Sequence, residues 1–221
     1  MISTKKAEQN KVWVGLSKET AHQLGTPISS LMAWMDLLES SGVDSSLLSD
    51  MNKDLNRLSV IAERFSKIGS KPEMELIYVN EVLENATEYM RRRVSDKVLI
   101  TTHLPSDAEG AMVCLSLFEW VIENLCKNAV DAMNGEGRID VYMTSEKQQI
   151  YIDIKDTGKG IARKNFKTVF NPGYTTKKRG WGLGLTLAKR IIEDYHAGRI
   201  YVKDSEVGKG TTFRIELKRV V

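Results

Sequence analysis

The chain has 221 residues, of which 42% are hydrophobic and 28% charged, so it is long and apolar enough to bury a sizeable core. Its formal net charge is only +3 and it has no basic stretch interleaved with aromatic residues, which argues against a protein that binds nucleic acid. No apolar run approaches the ~20 residues of a membrane span, and the polar N-terminal residues are not a secretory signal. We therefore expect a cytoplasmic chain with no membrane segment of its own.

The N-terminal third has the apolar spacing of two long helices. Large apolar residues recur in steps of three and four over residues 13–38 and again over 47–68, which is the period of an amphipathic helix. The polar stretch 40–46 separates the two segments, so we expect them to fold into an antiparallel hairpin. Each apolar stripe keeps nearly heptad spacing, and one hairpin cannot cover both. We therefore predict a homodimer in which two hairpins form a four-helix bundle.

The pattern changes after residues 69–73, which read Gly-Ser-Lys-Pro-Glu and combine a helix stop with a proline. Period-two alternation predicts strands near residues 98–104, 139–143, 150–154, 200–202 and 213–217. Helical spacing lies between them, at about 80–93, 116–133 and 183–195. This order predicts a two-layer α/β sandwich with a mixed sheet. The expected organisation is a helical hairpin at 1–70, a hinge at 71–73 and an α/β domain at 74–221.

Residues 123–129, Glu-Asn-Leu-Cys-Lys-Asn-Ala, lie in one of these predicted helices. Asn124 and Asn128 are four positions apart and share a face, so two neutral amide oxygens can turn toward a metal ion. Magnesium prefers oxygen ligands and keeps several water molecules and phosphate oxygens, so one asparagine is a sufficient protein contribution. The segment is therefore a candidate metal site.

A second motif, residues 156–160, reads Asp-Thr-Gly-Lys-Gly and directly follows the predicted strand 150–154. The Asp156 carboxylate can accept a hydrogen bond from an exocyclic amine, and the glycines permit a turn with close approach of the backbone to a ligand. In isolation such a sequence is a common turn at the end of a strand. Only its combination with the other motifs favours a ligand site.

Two further glycine-rich segments follow. Residues 180–184, Gly-Trp-Gly-Leu-Gly, open a predicted helix whose free amides suit phosphate. A dinucleotide-binding fingerprint would need a strand immediately before them, and the preceding residues 171–179 form a loop, so we reject that interpretation. Residues 208–211, Gly-Lys-Gly-Thr, look like part of a P-loop. They lack its upstream glycine, and a strand rather than a helix follows, so they are not a Walker motif.

In order and spacing, these four segments resemble the N, G1, G2 and G3 boxes of the histidine kinase ATP-binding domain, a Bergerat-type fold, and Phe166 and Phe170 match its aromatic F box. The resemblance covers nearly all of residues 74–221. It implies that Asn128 binds Mg²⁺ with Asn124 nearby. It also implies that Asp156 binds the adenine amine and that Thr211 supports this contact.

The same resemblance assigns roles to the loops around the nucleotide. Glycines would shape the phosphate and lid loops, at Gly158, Gly160, Gly182 and Gly184. The loop 171–180 would be a short lid from which Lys177 reaches the phosphates. Trp181 departs from the small residue that the family usually has there.

The segment 22–27, His-Gln-Leu-Gly-Thr-Pro, lies inside the first predicted helix. At about 100° per residue His22 points nearly opposite the apolar stripe, so we expect it to be exposed. A lone exposed histidine is usually only a surface residue. Pro27, however, removes a helical hydrogen bond at a cost of about 3 kcal/mol, and a bend so close to His22 needs a reason. The segment resembles the histidine kinase H box, in which the histidine is the phosphoacceptor within a dimeric bundle.

The departure from that box is Gln23, where the family most often has an acidic residue. Its amide oxygen can fix the imidazole tautomer but cannot accept a full proton. Glu19, one turn before His22 on the same face, is a competing base. Gln23 and Thr26 could instead orient water for dephosphorylating a partner's aspartyl phosphate, so the balance between kinase and phosphatase stays open.

As a whole the resemblance implies a two-component histidine kinase core. Such a core autophosphorylates His22 from Mg-ATP and passes the phosphoryl group to an aspartate in a response regulator receiver domain. It would be cytoplasmic, or the cytoplasmic part of a membrane-bound sensor. Two alternatives stay open: a Bergerat-fold protein that uses ATP only as a conformational switch, with the hairpin for dimerisation and docking, and a serine protein kinase of the anti-sigma type, which lacks such a hairpin.

Overall fold

The computed structural model describes residues 2–70, 72–176 and 182–220. Two units make up the chain: Met1–Pro72 is helical, and Glu73–Val221 combines helices with two β-sheets. This confirms the predicted order of a helical region followed by an α/β domain. Among the described helices, none is both long enough and apolar enough to cross a bilayer.

The first unit consists of α1 (Ile2–Ser40) and α2 (Ser45–Gly69), which pack against each other. Helix α1 continues through Pro27. Helix α2 begins after Asp44, whose Oδ1 accepts a hydrogen bond from the Ser46 amide at 2.7 Å and so satisfies one of the free N-terminal amides. Apolar side chains from both helices fill the interior of the hairpin, including the buried residues Met35, Leu48 and Leu55.

A single hairpin leaves much of its apolar surface exposed. Part of each predicted stripe is buried, as at Ile28 and Ile68, while other members are between 36% and 46% exposed, namely Leu31, Leu38, Met51 and Leu58. Among the described side chains of the two helices, the exposed large apolar ones are Leu31, Met32, Trp34, Leu37, Leu38, Met51, Leu58 and Val60. Monomers normally expose single, scattered apolar side chains, whereas here the exposed apolar side chains are concentrated on two paired helices.

The second unit is built on a five-stranded mixed sheet of β2 (Val98–His103), β4 (Gly137–Glu146), β5 (Gln149–Asp156), β6 (Arg199–Glu206) and β7 (Gly210–Lys218). The strands lie in the order β2-β4-β5-β7-β6. Strands β2 and β4 are parallel, and the other neighbours are antiparallel. The helices are α3 (Val79–Arg91), α4 (Leu115–Ala132) and α5 (Gly184–Arg190), the last continued by one π-helical turn, Ile191–Tyr195.

One face of this sheet is apolar and packs against the helices. Ile139, Ile152 and Ile215 are fully buried there, as are Leu117 and Phe118 of α4. The opposite face carries charged and aromatic side chains, which pair across the strands. The predicted two-layer α/β sandwich with a mixed sheet is thus confirmed, and the alternation of each strand follows from having one face buried and one solvated.

Two features were not predicted. A separate two-stranded antiparallel sheet joins β1 (Glu75–Tyr78) to β3 (Gly110–Val113), and strands of four residues are too short to give a clear alternation. Strand β6 also extends beyond the predicted 200–202. The prediction ended early because the register shifts at a β-bulge between Val202 and Asp204. The bulge inserts one residue and breaks the period-two pattern.

Candidate active site

Asp156 is the last residue of β5 and is only 3% exposed. Its Oδ1 accepts two backbone hydrogen bonds, from the Gly158 amide at 2.8 Å and from the Thr211 amide at 3.3 Å. Within the described residues nothing donates to its Oδ2, which therefore remains an acceptor for a ligand. Burial raises the pKa of this carboxyl, and the two backbone hydrogen bonds oppose the rise.

The glycine loop after Asp156 lies against the end of α4. The Lys159 amide donates to the Ala132 carbonyl at 3.0 Å, and a Cβ added to Gly158 would come within 2.7 Å of the Ala132 Cβ. Gly160 has φ +72° and lies against the Glu206 backbone, a conformation and a spacing that a larger residue could not adopt without strain. The loop sequence is therefore dictated by close packing as well as by any ligand.

Helix α4 presents Asn124, Asn128 and Ala132 at successive intervals of four residues, so the three share one face. A Cβ added to Gly184 would collide with the Asn124 side-chain oxygen, which places the start of α5 against this face. The other end of the face meets Gly158 through Ala132. Asn128 thus lies between two glycine segments that are far apart in sequence.

Asn124 has an orphaned polar atom. Its Nδ2 is buried and finds no hydrogen-bond partner among the described residues. A buried donor left without a partner costs about 1–3 kcal/mol, so such an atom usually has an acceptor that arrives with a ligand. A phosphate oxygen or a water molecule held beside it would satisfy this donor.

Thr211 stands beside Asp156 on the neighbouring strand. Because Lys155 pairs with Thr212 in the antiparallel register of β5 and β7, the next position brings Asp156 next to Thr211. Thr211 is 5% exposed, and its hydroxyl is 2.9 Å from the Ser205 hydroxyl on β6. The adenine-binding pair predicted from the sequence, Asp156 and Thr211, is therefore brought together.

The loop before α5 is described in part. The Gly173 amide donates to the Gly182 carbonyl at 3.2 Å, and the Lys159 ammonium donates to the Thr176 hydroxyl at 2.9 Å. Gly182 has φ +63°. The first contact joins the two ends of the loop to each other, and the second joins the loop to the glycine segment after Asp156. The predicted phosphate-binding Lys177 and the unusual Trp181 lie outside the described residues.

His22 is exposed on α1, as its position opposite the apolar stripe predicts. Gln23 and Thr26 are exposed beside it. The Gln23 Nε2 donates to the Glu19 Oε1 at 2.6 Å, so the glutamine amide is turned toward the preceding helical turn. An imidazole, a carboxylate and an amide therefore occupy neighbouring positions on one helix.

Comparisons with known proteins address the family. Residues 114–221 match the family described as histidine kinase-, DNA gyrase B-, and HSP90-like ATPase. Sporulation kinase A of Bacillus subtilis is 26% identical over 220 residues, which cover 97% of this chain and 36% of the relative. Sensor histidine kinase ZraS of Salmonella typhimurium is 26% identical over 226 residues, which cover 98% of this chain and 48% of the relative. These similarities support a histidine kinase catalytic core in this chain.

The fold of this chain also occurs in a solved structure of histidine kinase ThkA in complex with response regulator protein TrrA. The TM-score is 0.63 at 19% identity, and the match covers 98% of this chain and 65% of that one. The curated relatives extend well beyond the matched segment, since the chain spans 36% and 48% of their lengths. The family match supports ATP as the nucleotide of the α/β domain.

The candidate site contains a residue, Ser205, that the sequence pattern did not predict. Ser205 accepts a hydrogen bond from the Ile161 amide at 2.7 Å and contacts Thr211 on the adjacent strand. It lies beyond the bulge that interrupts the alternation of β6. A prediction that treated β6 and β7 as a hairpin, closed by the glycines at 208 and 210, would have placed Ser205 opposite Thr211.

Proposed function

We propose that this chain binds Mg-ATP in the α/β domain and transfers the γ-phosphoryl group to His22. The observation that carries the proposal is the shared face of α4, which lies between the Asp156 loop at one end and the start of α5 at the other. The free Oδ2 of Asp156 accepts from the exocyclic amine of adenine at the first end. The buried Asn124 amide supplies a donor for the phosphate side at the second.

The residues present also fit a magnesium ion that is bound jointly with the nucleotide. Among the described residues, no group of three His, Cys, Asp or Glu side chains is arranged to hold a metal alone. Neutral amide oxygens suit an ion that keeps its water and phosphate ligands, and Asn128 is the proposed protein ligand. When bound, Mg²⁺ would neutralise charge on the transferring phosphoryl group.

In the proposed reaction, one imidazole nitrogen of His22 attacks the γ-phosphorus. The N–P bond forms as the bond from that phosphorus to the β,γ-bridging oxygen breaks, and ADP leaves. The proton on the other imidazole nitrogen must then be accepted. Glu19 and Gln23 are the neighbouring groups that can accept it or hold it by a hydrogen bond, and their mutual hydrogen bond orders them.

We propose a homodimer as the working form. The apolar side chains left exposed on α1 and α2, with Trp34 at 64% and Leu37 at 58%, would become buried in a four-helix bundle. Burial of such side chains stabilises by about 25 cal/mol for each Å² of apolar surface removed from water.

The proposed recipient of the phosphoryl group is an aspartate in a response regulator receiver domain. The structure of histidine kinase ThkA with response regulator protein TrrA supports this partner class through similarity of fold. Gln23 and Thr26 are proposed to orient a water molecule that hydrolyses the aspartyl phosphate of that partner. Both are exposed on α1 next to His22, where a docked partner can reach them.

The composition of the chain allows a sharp test of the acceptor. It has three histidines, His22, His103 and His196, so three single variants cover every candidate. After incubation with γ-labelled ATP we expect acid-labile, alkali-stable label on the wild-type protein. We expect none on His22→Ala, in which nucleotide binding should persist because His22 lies in the other unit.

His103→Ala is the matched control, because His103 is also exposed but lies in the α/β domain. It should label like the wild type. Label that persists in His22→Ala would refute the assignment of the acceptor. If the wild-type protein and all variants bound ATP tightly and none became labelled, the result would instead favour the use of ATP as a conformational switch.

A further inference from the structure

Ser205 is turned toward the site by the β-bulge in β6. Before the bulge, Val202 pairs with Phe213 and both are buried on the helix-facing side of the sheet. After it, Ser205 pairs with Thr211, which lies on that same side. Without the inserted residue, the period of two would direct the Ser205 side chain to the opposite face. The bulge therefore places a hydroxyl in line with Thr211 and Asp156 on three adjacent strands.

The hydrogen bonds of Ser205 can be counted completely. The Ile161 amide can only donate, so Ser205 accepts from it at 2.7 Å. The Gly210 carbonyl can only accept, so Ser205 donates its one proton there at 2.8 Å. The remaining contact, 2.9 Å to the Thr211 Oγ1, must then have Thr211 as the donor. All donor and acceptor capacity of Ser205 is used within the protein.

This arrangement fixes the polarity of Thr211. Its hydroxyl proton is committed to Ser205, so its Oγ1 offers only lone pairs to a ligand. The neighbouring Asp156 offers the lone pairs of Oδ2, because Oδ1 already accepts two amides. The base end of the site therefore presents two acceptors and no hydroxyl donor from this pair.

We propose that Ser205 is a specificity-determining residue, which makes the site select a 6-amino purine by holding the Thr211 hydroxyl as an acceptor. The inference rests on the proposed function, in which Asp156 binds the base. An exocyclic amine donates to acceptors of this kind. A 6-oxo purine such as inosine places a carbonyl oxygen at the same position. The acceptors of the protein would then face another acceptor and have no hydrogen-bond partner. The site should therefore reject 6-oxo purines strongly.

The test compares dissociation constants of ATP and inosine triphosphate by calorimetry, with the ratio of the two as the readout. Ser205→Ala frees the Thr211 proton, which can then turn toward the 6-oxo group. We expect the preference for ATP to fall by about ten-fold, the scale of one hydrogen bond. A merely structural role for Ser205 would weaken both nucleotides equally and leave the ratio unchanged.

Two further variants keep the result interpretable. In Thr211→Val, which lacks the hydroxyl, adding Ser205→Ala should not change the ratio further, since Ser205 acts through that hydroxyl. Thr212→Ala, a change at the next position on the opposite side of β7, should keep the wild-type ratio. If the wild-type protein bound no ATP, the proposed function and this inference would both fall. If ATP bound and Ser205→Ala kept the wild-type ratio, only the inference would fall.

Discussion

The side-chain amide of Gln23 donates to the Glu19 carboxylate across one turn of α1, with 2.6 Å between Nε2 and Oε1. His22 lies between them in sequence, one position before Gln23 and three after Glu19. The glutamine therefore orients a carboxylate near the proposed phosphoacceptor while its own carbonyl oxygen remains available. Either group can assist the departure of the imidazole proton, and two substitutions distinguish them.

Gln23→Glu should speed autophosphorylation about ten-fold, because a carboxylate accepts a proton that a carboxamide can only hold by a hydrogen bond. General base assistance is typically worth about 10² to 10⁴-fold, and imperfect geometry would reduce this. ATP affinity should barely change. Rapid-quench single-turnover rates measure the effect. Glu19→Gln is the comparison: if it is slow while Gln23→Glu is no faster than the wild type, the base is Glu19.

Asp156→Asn should weaken ATP binding and stabilise the protein without nucleotide. The lost charge-assisted hydrogen bond is worth about 1.5–3 kcal/mol of binding.

The effect on stability follows from the pKa of Asp156, which burial raises in the folded state. The contribution of this carboxyl to folding stability is full below the unfolded pKa of about 3.9 and is lost as pH rises through the folded pKa. At pH 7 the buried charge therefore costs stability, which asparagine relieves. Calorimetry and urea unfolding measure the two effects, and unchanged affinity in a folded variant would remove Asp156 from the site.

Asn128→Ala should weaken Mg-ATP much more than nucleotide in the presence of a chelator. The proposed role of Asn128 is to bind the metal, so its loss matters only when the metal is there. Titrations with and without Mg²⁺ give the comparison. Equal losses under both conditions would indicate that Asn128 serves packing instead.

Gly184→Ala should reduce ATP affinity by roughly ten-fold, because the new methyl group would displace the Asn124 side chain. The cost should disappear in an Asn124→Ala background, where no side-chain amide remains to be displaced. Gly15→Ala is the control for the substitution itself. Apart from its own stretch of helix, no described atom lies within 4 Å of a Cβ added at Gly15, so that variant should bind ATP like the wild type.

His196 should make the α/β domain less stable as pH falls below about 6.5. It is 6% exposed, with Nε2 accepting from the Cys114 amide at 3.0 Å and Nδ1 at 2.8 Å from the Ile191 carbonyl. Only the neutral ring with its proton on Nδ1 satisfies both contacts, and burial lowers its pKa. The unfolded chain therefore binds the proton first, and folding stability decreases with acidity. Urea unfolding between pH 7.5 and 5.5 should show a slope that His196→Gln diminishes.

The sequence predicted those parts of the structure that depend on local periodicity. The two helices of the hairpin and five strands of the main sheet each bury one side, so each leaves a repeating pattern of apolar residues. Asp156 was placed at a strand end by the apolar alternation of residues 150–154, which β5 bears out. The exposure of His22 followed in the same way from its angle to the apolar stripe.

The features that escaped prediction depend on contacts between distant residues. Ser205 was not predicted because a bulge shifts the side chains of β6 by one position. The sequence of one strand alone does not indicate where such a residue is inserted. The proximity of Asn124 to Gly184 depends on how α4 and α5 pack. The hydrogen bond of Gln23 to Glu19 is local, but a helix offers several alternatives at the same spacing, and sequence alone does not choose among them.

The strand order has a further consequence for the two residues at the base end of the site. Asp156 and Thr211 belong to β5 and β7, which both have neighbours on either side, whereas β6 is an edge strand. Amides in such central strands exchange with deuterium mainly through opening of the whole domain, while an edge can fray locally. Asp156 and Thr211 should therefore keep their positions as long as the domain is folded. Binding of the proposed nucleotide at this end of the site would then cost little conformational entropy.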